Sequence, residues 1–166
     1  MKLSLKDRDG WLTRWQEGRI QFHVDKVNPI LYRYVDRLLP EGFGRVLVPL
    51  CGKSVDLGWL VDRGHEVVGV ELAEKAVEDL FKELGRSPTI STQDVFQSWR
   101  SDGLEVLVGD LFELDAECIG KFDAIWDRAA LVVLRPSDRD RYAPHLREFL
   151  QPNGQILLCT ISYDES

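Results

Sequence analysis

The 166-residue sequence predicts an α/β fold in which helices cover both faces of a mostly parallel sheet. Short runs rich in Val, Leu and Ile alternate along the chain with amphipathic stretches. Those runs are apolar on both faces, as buried parallel strands are. The length is close to the roughly 150 residues of one common domain. We therefore expect a single domain over residues 1–166, with a three-layer α/β/α, Rossmann-like architecture.

Two helices are expected in residues 1–40, ahead of the first strand. Trp11 and Trp15 lie four positions apart and therefore share one face of the first helix, for which Asp9 is the expected N-cap. The second helix is predicted over Pro29–Leu39, because apolar residues recur there at helical spacing and proline suits a first helical turn. No strand pattern offers the two tryptophans a place in the sheet. They form either a cover over a ligand site or part of the permanent core.

Strands and helices then alternate through residues 41–166, the expected Rossmann-like core. The predicted strands are Arg45–Leu50, Glu66–Leu72, Leu104–Val108, Phe122–Trp126 and Gln155–Ile161. The predicted helices between them are Ser54–Arg63, Glu74–Leu84 and Arg139–Leu150. The polar segment Arg86–Asp102 contains Pro88, and we expect it to have little regular structure.

Composition and charge restrict the class of partner. Hydrophobic residues make up 44% of the chain and charged residues 30%, which is typical of a folded soluble domain. The net charge of -7 disfavours binding to nucleic acid. Apolar runs such as Ala129–Leu134 are far shorter than the about 20 residues needed to cross a bilayer, and the N-terminus does not resemble a signal segment. We expect a cytoplasmic protein that binds neither nucleic acid nor membrane.

The cysteines and histidines predict neither a disulfide framework nor a metal site. The three cysteines form no CxxC pair, and the three histidines lack the spacing of metal ligands. Cys51 follows the first strand, next to Gly52 and Lys53. Its thiol could have a lowered pKa there, but packing beside a ligand is the favoured role.

Ligands of open parallel sheets bind beyond the carboxyl ends of the strands. Gly52 is the one glycine of the loop after the first strand, and the fingerprint GxGxxG is absent. Because a pyrophosphate needs several bare backbone N–H groups, this loop disfavours a nicotinamide or flavin cofactor; a nucleoside without phosphate would need fewer. The sequence also contains no GxxxxGK[ST] loop and no GxSxG elbow, which disfavours NTP hydrolysis and acyl transfer.

Three predicted strand ends present polar groups at the same edge of the sheet. Glu71 lies nineteen positions after the loop glycine, where such sheets accept hydrogen bonds from ribose hydroxyls. Asp110 follows the third strand, and Arg128 follows the fourth. Each residue also has a simpler interpretation: Asp110 could cap the next turn, Trp126 could belong to the core, and Arg128 could pair with Asp127 on the surface. Their shared placement favours a ligand site.

Four blocks of the sequence resemble the thiopurine S-methyltransferase family in its bacterial form. They are Val48–Leu72, Gly120–Val132, Leu157–Asp164 and the Trp11–Trp15 spacing followed by Phe22 and His23. The resemblance extends over nearly the whole chain. It implies a class I methyltransferase that moves the methyl group of S-adenosyl-L-methionine to the sulfur of an aromatic or heterocyclic thiol. In bacterial members, it implies transfer to selenium or tellurium compounds as well, a detoxification reaction.

The resemblance also assigns site residues, position by position. The implied cofactor contacts are Trp15, Leu50, Glu71 and Arg128, and the implied pocket lining is Trp11, Phe22, Asp110 and Leu111. Arg128 is in addition the expected catalytic residue, because a nearby cation raises the thiolate fraction of a thiol. A small-molecule thiol is the expected partner of a monomeric protein.

The chain departs from the family pattern after its last block, where family members continue into a final antiparallel hairpin. We therefore expect the hairpin to be missing, which puts the activity of this chain in doubt. Two alternatives remain open: a cofactor-binding module without activity, and a nicotinamide-dependent reductase.

Overall fold

A computed structural model of the chain describes residues 5–161, with side chains from residue 8 onward. The last residues of the Leu157–Asp164 block lie outside the described part. The described part of the chain is built around one β-sheet, with helices packed on both of its faces. The predicted three-layer α/β/α, Rossmann-like class is confirmed.

The sheet has seven strands in the order β3-β4-β5-β2-β1-β6-β7. Their bounds are β1 Arg45–Pro49, β2 Glu66–Glu71, β3 Thr89–Gln93, β4 Phe96–Ser101, β5 Leu104–Val108, β6 Phe122–Asp127 and β7 Leu150–Leu158. β4 runs antiparallel to both of its neighbours, and every other pairing is parallel. Strands β2 to β5 are added on one side of β1 and strands β6 and β7 on the other, so the strand order reverses between β1 and β6 and a crevice opens at their carboxyl ends.

The helices are α1 Leu5–Gln16, α2 Pro29–Leu38, α3 Asp56–Asp62, α4 Glu74–Glu83, α5 Ala116–Ile119, α6 Ala130–Val133 and α7 Pro136–Glu148. A single-turn 3₁₀ helix, Leu111–Glu113, follows β5. Residues of α2, α3 and α4 pack on one face of the sheet, and residues of α6 and α7 pack on the other. α1 contributes Trp15, which packs on Ala73 and Ala76 at the start of α4. The first helix therefore lies over the ends of the strands.

All five predicted strands are present, and the predicted helices are found with shifted ends. The expected N-cap Asp9 is wrong, because α1 begins at Leu5 and Asp9 lies inside it. The last helix starts at Pro136, a residue that suits the first turn, and ends at Glu148. Since that helix ends early, β7 begins at Leu150, five positions before the predicted Gln155.

The expectation of little regular structure over Arg86–Asp102 is wrong. The segment forms the hairpin β3–β4, which extends the sheet at the edge beside β5. Its two-residue turn starts at Asp94, whose φ of 51° is one that Asp tolerates better than most residues. Phe96 and Trp99 of β4 are buried and anchor the hairpin, whereas every residue of β3 is exposed. An exposed edge strand needs no apolar alternation, so hydrophobic patterning does not mark β3.

Candidate active site

A cavity of about 360 Å³ lies at the carboxyl ends of β1, β2, β5 and β6. Its volume falls within the range of small-molecule sites, which is roughly 300–1,000 Å³. Seven of the eight predicted site residues line it: Trp11, Trp15, Phe22, Leu50, Glu71, Leu111 and Arg128. The edge of the sheet selected from the sequence therefore contains an enclosed site built from the expected side chains.

Glu71, at the end of β2, holds the loop after β1 in place. Its Oε2 accepts a hydrogen bond from the backbone N–H of Gly52 at 2.8 Å, and its Oε1 accepts one from the N–H of Ala73 at 2.9 Å. Burial raises the pKa of this carboxyl group, and the two N–H donors act in the opposite direction. Each carboxylate oxygen has a second lone pair. Glu71 can therefore accept further hydrogen bonds from ligand hydroxyls.

The loop after β1 has an unusual backbone. Leu50 has a φ of 47° and Gly52 a φ of 53°, both in the left-handed region. A Cβ on Gly52 would lie 3.1 Å from the Trp15 ring, so the absence of a side chain lets the indole rest directly on the loop. Strained, non-glycine backbone of this kind is concentrated at ligand sites. The loop and α1 thus form one side of the cavity together.

An aromatic wall, defined here as Trp11, Trp15 and Phe22, closes the outer side of the cavity. Both indole rings meet the Phe22 ring edge-on, each with centroids 5.7 Å apart. Trp15 is 5% exposed, whereas Phe22 is 43% exposed. Trp15 therefore lines the cavity and is also buried in the core, and its part in a cover over a bound ligand stays a prediction.

Arg128 reaches back from the end of β6 to the N-terminal part of the chain. Its Nη2 donates to the backbone carbonyl of Phe22 at 3.1 Å, and its Nη1 donates to Ser54 Oγ at 3.3 Å. A surface pair between Arg128 and Asp127, the simpler interpretation, is not formed. Asp127 is buried and accepts hydrogen bonds from the Tyr142 hydroxyl and from the N–H of Ala130, both at 2.8 Å. Both partners of the guanidinium group, Ser54 and Phe22, line the cavity, as Arg128 itself does.

Trp126 belongs to the core, which was its simpler interpretation, and it also lines the cavity. This residue is fully buried, and its indole N–H donates to Asp56 Oδ2 at 2.9 Å. The other oxygen of Asp56 accepts from the N–H of Asn28 at 2.8 Å. Asn28 is the N-cap of α2, so this one carboxylate joins the start of α2 to the strand that leads to Arg128.

Asp110 lies beside the cavity without lining it. It is the N-cap of the 3₁₀ helix, where its Oδ1 accepts from the N–H of Phe112 at 3.0 Å. Gly109 lines the cavity in its place. A Cβ on Gly109 would lie 2.4 Å from the Phe96 ring, so the strand end can pass this ring only because the residue is glycine. The capping interpretation of Asp110 is confirmed, and its part in cofactor binding stays a prediction.

Cys51 is a packing residue in this structure. It is buried, and its Sγ lies 2.8 Å from the position that a Cβ on Gly69 of β2 would occupy. Burial, together with the nearby Glu71 charge, raises the pKa of the Cys51 thiol well above its usual range. Because the thiolate is the reactive form, this environment opposes a nucleophilic role.

The cavity is also lined by charged and aromatic residues that were not selected as site residues from the sequence, among them Arg14, His23, Lys53, Phe112, Arg135 and Asp138. Two of them are neighbours in sequence of selected residues. His23 adjoins Phe22, which was selected, and Arg14 adjoins Trp15. Proximity in sequence was therefore the available signal for these two. Arg135 and Asp138 lie around the start of α7, where no strand end or motif marked them. Among residues 5–161, no helix is long and apolar enough to cross a membrane.

Comparison with known families gives one match over most of the chain. The family model described as Thiopurine S-methyltransferase (TPMT) matches residues 6–166. A thiopurine S-methyltransferase of Pseudomonas aeruginosa (strain LESB58) is 46% identical over 158 residues, which are 95% of this chain and 72% of the relative. The enzyme of that name from Pseudomonas fluorescens (strain Pf0-1) is 47% identical over 156 residues, which are 94% of this chain and 71% of the relative.

Solved structures of more distant proteins share the fold. One is the 1,6-didemethyltoxoflavin-N1-methyltransferase of Burkholderia thailandensis, with bound 1,6-didemethyltoxoflavin and S-adenosylhomocysteine. It superposes with a TM-score of 0.63 at 19% identity and covers 90% of this chain and 58% of the other. A TehB-like SAM-dependent methyltransferase of Corynebacterium glutamicum superposes with a TM-score of 0.56 at 20% identity. The superposition covers 90% of this chain and 71% of the other. At these identities the likeness establishes the architecture.

Proposed function

The chain belongs to the thiopurine S-methyltransferase family, and from this premise we propose that its cavity holds S-adenosyl-L-methionine beside an aromatic or heterocyclic thiol. The family is one of S-adenosylmethionine-dependent methyltransferases, and the sheet matches solved enzymes of that class. The observation that supports the proposal most strongly is the convergence of Glu71, Leu50, Trp15 and Arg128 on one cavity at the topological switch point.

The cofactor would lie across the ends of β1, β2 and β5. Glu71 would accept hydrogen bonds from the ribose hydroxyls, because it lines the cavity and its oxygens keep lone pairs beyond those used by Gly52 and Ala73. Leu111 and the capped turn that Asp110 begins would flank the adenine. Leu50 and Trp15 would contact the remainder of the molecule along the loop after β1. Nothing in this loop offers the several N–H groups of a pyrophosphate site, which argues against the reductase alternative.

S-adenosylmethionine supplies a methyl group that is already activated by its sulfonium sulfur. The protein therefore mainly aligns a sulfur nucleophile about 3 Å from the methyl carbon, in line with the departing sulfur. Arg128 would stabilise the thiolate, since it lines the cavity and its guanidinium group is a cation with a planar set of donors. The aromatic wall would exclude water and could face the sulfonium charge.

Calorimetric titration tests the cofactor assignment. We expect saturable binding of S-adenosylmethionine and S-adenosylhomocysteine and no binding of NADPH; the reverse pattern would favour the reductase. An assay of methyl transfer to an aromatic thiol tests the reaction. Cofactor binding without methyl transfer would identify the chain as a binding module. The proposal extends to selenium and tellurium compounds, so the same assay should be repeated with them as methyl acceptors.

We also propose that the protein acts as a monomer in the cytoplasm. One chain supplies every residue that the proposed site uses, so the proposed reaction needs no second copy. Sedimentation analysis measures the oligomeric state directly, and a dimer at micromolar concentration would contradict the proposal. Cell fractionation tests the location.

A further inference from the structure

His23 is an ionisable side chain of the cavity that the proposed function leaves without a role. It directly follows Phe22 of the aromatic wall and lines the same cavity. Its backbone N–H donates to the Ile20 carbonyl at 2.8 Å, which fixes the turn that carries it. Within residues 5–161, neither ring nitrogen makes a hydrogen bond to another residue. The imidazole therefore keeps an unused donor and an unused acceptor at the wall of the site.

The position of His23 is fixed relative to Arg128. The peptide unit that joins Phe22 to His23 supplies the carbonyl to which Arg128 Nη2 donates at 3.1 Å. The imidazole thus branches from the residue next to the guanidinium contact. Both residues also line the cavity, so a thiolate held by Arg128 would lie in the same cavity that His23 borders.

The surroundings of His23 lower the pKa of its imidazole, which favours the neutral form of the ring. Burial lowers its pKa most, followed by the charge of Lys53; Arg128 acts in the same direction, whereas Glu83 and Asp25 raise it. Lys53 and Glu83 form an ion pair with 2.5 Å between Nζ and Oε1, so their effects on the ring largely offset each other. A neutral imidazole has the free lone pair that a proton acceptor needs.

The reaction needs such an acceptor whenever the thiol is not already ionised. A thiol with an ordinary pKa near 8.5 is only a few per cent thiolate at pH 7, and the thiolate is the nucleophile. Other ionisable groups of the cavity are committed elsewhere. Glu71 is held by two backbone N–H groups, and Asp138 pairs with Arg141 at 2.8 Å. Arginine has no lone pair with which to accept a proton.

We propose that His23 is the general base of methyl transfer, accepting the proton of the bound thiol while Arg128 stabilises the thiolate. The inference rests on the proposed methyltransferase function. The S–H bond breaks, and its proton joins the free ring nitrogen to give an imidazolium. The thiolate lone pair then forms a bond to the methyl carbon, and the pair of the breaking C–S bond stays on the sulfur of S-adenosylhomocysteine. The imidazolium afterwards releases its proton to water.

Nuclear magnetic resonance of the histidine rings tests the proton transfer without turnover. The chain has three histidines, and His65, at the far end of β2 from Glu71, serves as an internal reference. In the complex with S-adenosylhomocysteine at pH 7, we expect His23 to show neutral-imidazole shifts. A thiol with a pKa near 8.5 should move these shifts toward imidazolium as thiolate absorbance appears, with His65 unchanged. Thiolate absorbance with His23 still neutral would overturn the proposal.

A substitution at His23, assayed with two different thiols as methyl acceptors, distinguishes a general base from a residue with a structural role. His23→Gln should lower kcat/KM by at least about 100-fold for the thiol with a pKa near 8.5, as expected for a lost general base. A nitro-substituted aromatic thiol, already ionised at the assay pH, should be methylated at nearly the parent rate. Val24→Ala, at the exposed neighbouring position, is the matched control and should leave both rates unchanged.

Equal losses on both thiols, or no loss on either, would overturn the base assignment. Failure of the proposed function looks different, because the parent protein would then methylate neither thiol. In that case the resonance titration still decides whether His23 takes up the thiol proton.

Discussion

The Arg128 side chain holds the backbone of Phe22 across 106 positions of the sequence, with 3.1 Å between Nη2 and the carbonyl oxygen. Phe22 in turn packs against both tryptophans of α1. One guanidinium group therefore joins the end of β6 to the aromatic wall, beside its proposed role toward the thiolate. The two roles have different experimental signatures, because the first concerns closure of the site and the second concerns charge.

Substitutions at Arg128 should separate these roles through the pH profile of turnover. Arg128→Ala should lose turnover at neutral pH and recover part of it as the pH rises toward the pKa of the free thiol, because the cation no longer favours the thiolate. Arg128→Lys keeps the charge but loses the planar donors, so its rate should lie between the two. Steady-state rates from pH 6 to 10 give the comparison. A parent-like profile with weaker cofactor binding would instead assign Arg128 to the cofactor site.

The segment over residues 9–23 should become more protected when ligand binds. This segment contributes two side chains to the cavity wall, the exposed Phe22 and the partly exposed Trp11. A bound ligand would cover both. Hydrogen exchange followed by mass spectrometry should slow there on addition of S-adenosylmethionine or S-adenosylhomocysteine. Pro29–Leu38, which forms α2, provides the reference segment. Identical exchange with and without ligand would mean that the wall is a permanent part of the core.

Glu71→Ala should weaken binding of S-adenosylmethionine by at least about tenfold. Hydrogen bonds to a charged group contribute roughly 1.5–3 kcal/mol, and 1.4 kcal/mol corresponds to a tenfold change in affinity. Calorimetric titration measures the change, with circular dichroism to verify folding. Glu66→Ala is the matched control, because Glu66 lies at the other end of β2 and is exposed there. Equal affinities for parent and Glu71→Ala would remove Glu71 from the ribose site.

Asp56→Ala should lower the free energy of unfolding by about 3 kcal/mol, because it leaves one buried and one partly buried donor without an acceptor. Those donors are the indole N–H of Trp126 and the backbone N–H of Asn28. Urea denaturation provides the measurement. Asp62→Ala, at the exposed end of the same helix, should change stability by less than about 1 kcal/mol. Similar effects of the two substitutions would show that the buried carboxylate does not stabilise the junction.

Iodoacetamide should modify Cys118 in the folded protein while leaving Cys51 unmodified. Cys118 is exposed, whereas Cys51 is buried with a raised thiol pKa, so little thiolate is present even at pH 8. Digestion and mass spectrometry at increasing reaction times give both rates. Denaturation in urea should make the two cysteines equally reactive. Equal rates in the folded protein would restore the nucleophilic interpretation of Cys51.

Sequence patterns located the cavity because strand ends are marked by apolar runs that stop at polar residues. Glu71 and Arg128 could be placed in this way, since each immediately follows such a run. The hydrogen-bond partner of Arg128 could not be predicted from the sequence. Every residue has a backbone carbonyl, so the residue type does not indicate that the Phe22 carbonyl is the acceptor. Asp110 shows a related limit: a carboxylate after a strand can cap a turn or face a ligand, and only the fold distinguishes them.

Hydrophobic patterning also failed at the far edge of the sheet. β3 is exposed at every position, so its strand character depends on pairing with β4 instead of on burial. His23 was noticed beside Phe22 without a function, because a single histidine in a polar turn indicates nothing until the fold places it against a cavity.

The β3–β4 hairpin offers an attachment point for experiments on this protein. Its turn at Asp94 lies at the outermost edge of the sheet, with β4 and β5 between it and the strands that hold the loop after β1. A cysteine or short peptide tag introduced at this turn could carry a fluorophore or anchor the protein to a biosensor chip. Because β4 begins opposite Val108 at the carboxyl end of β5, this turn lies at the same edge of the sheet as the cavity. A fluorophore placed there would therefore report on ligand binding at close range.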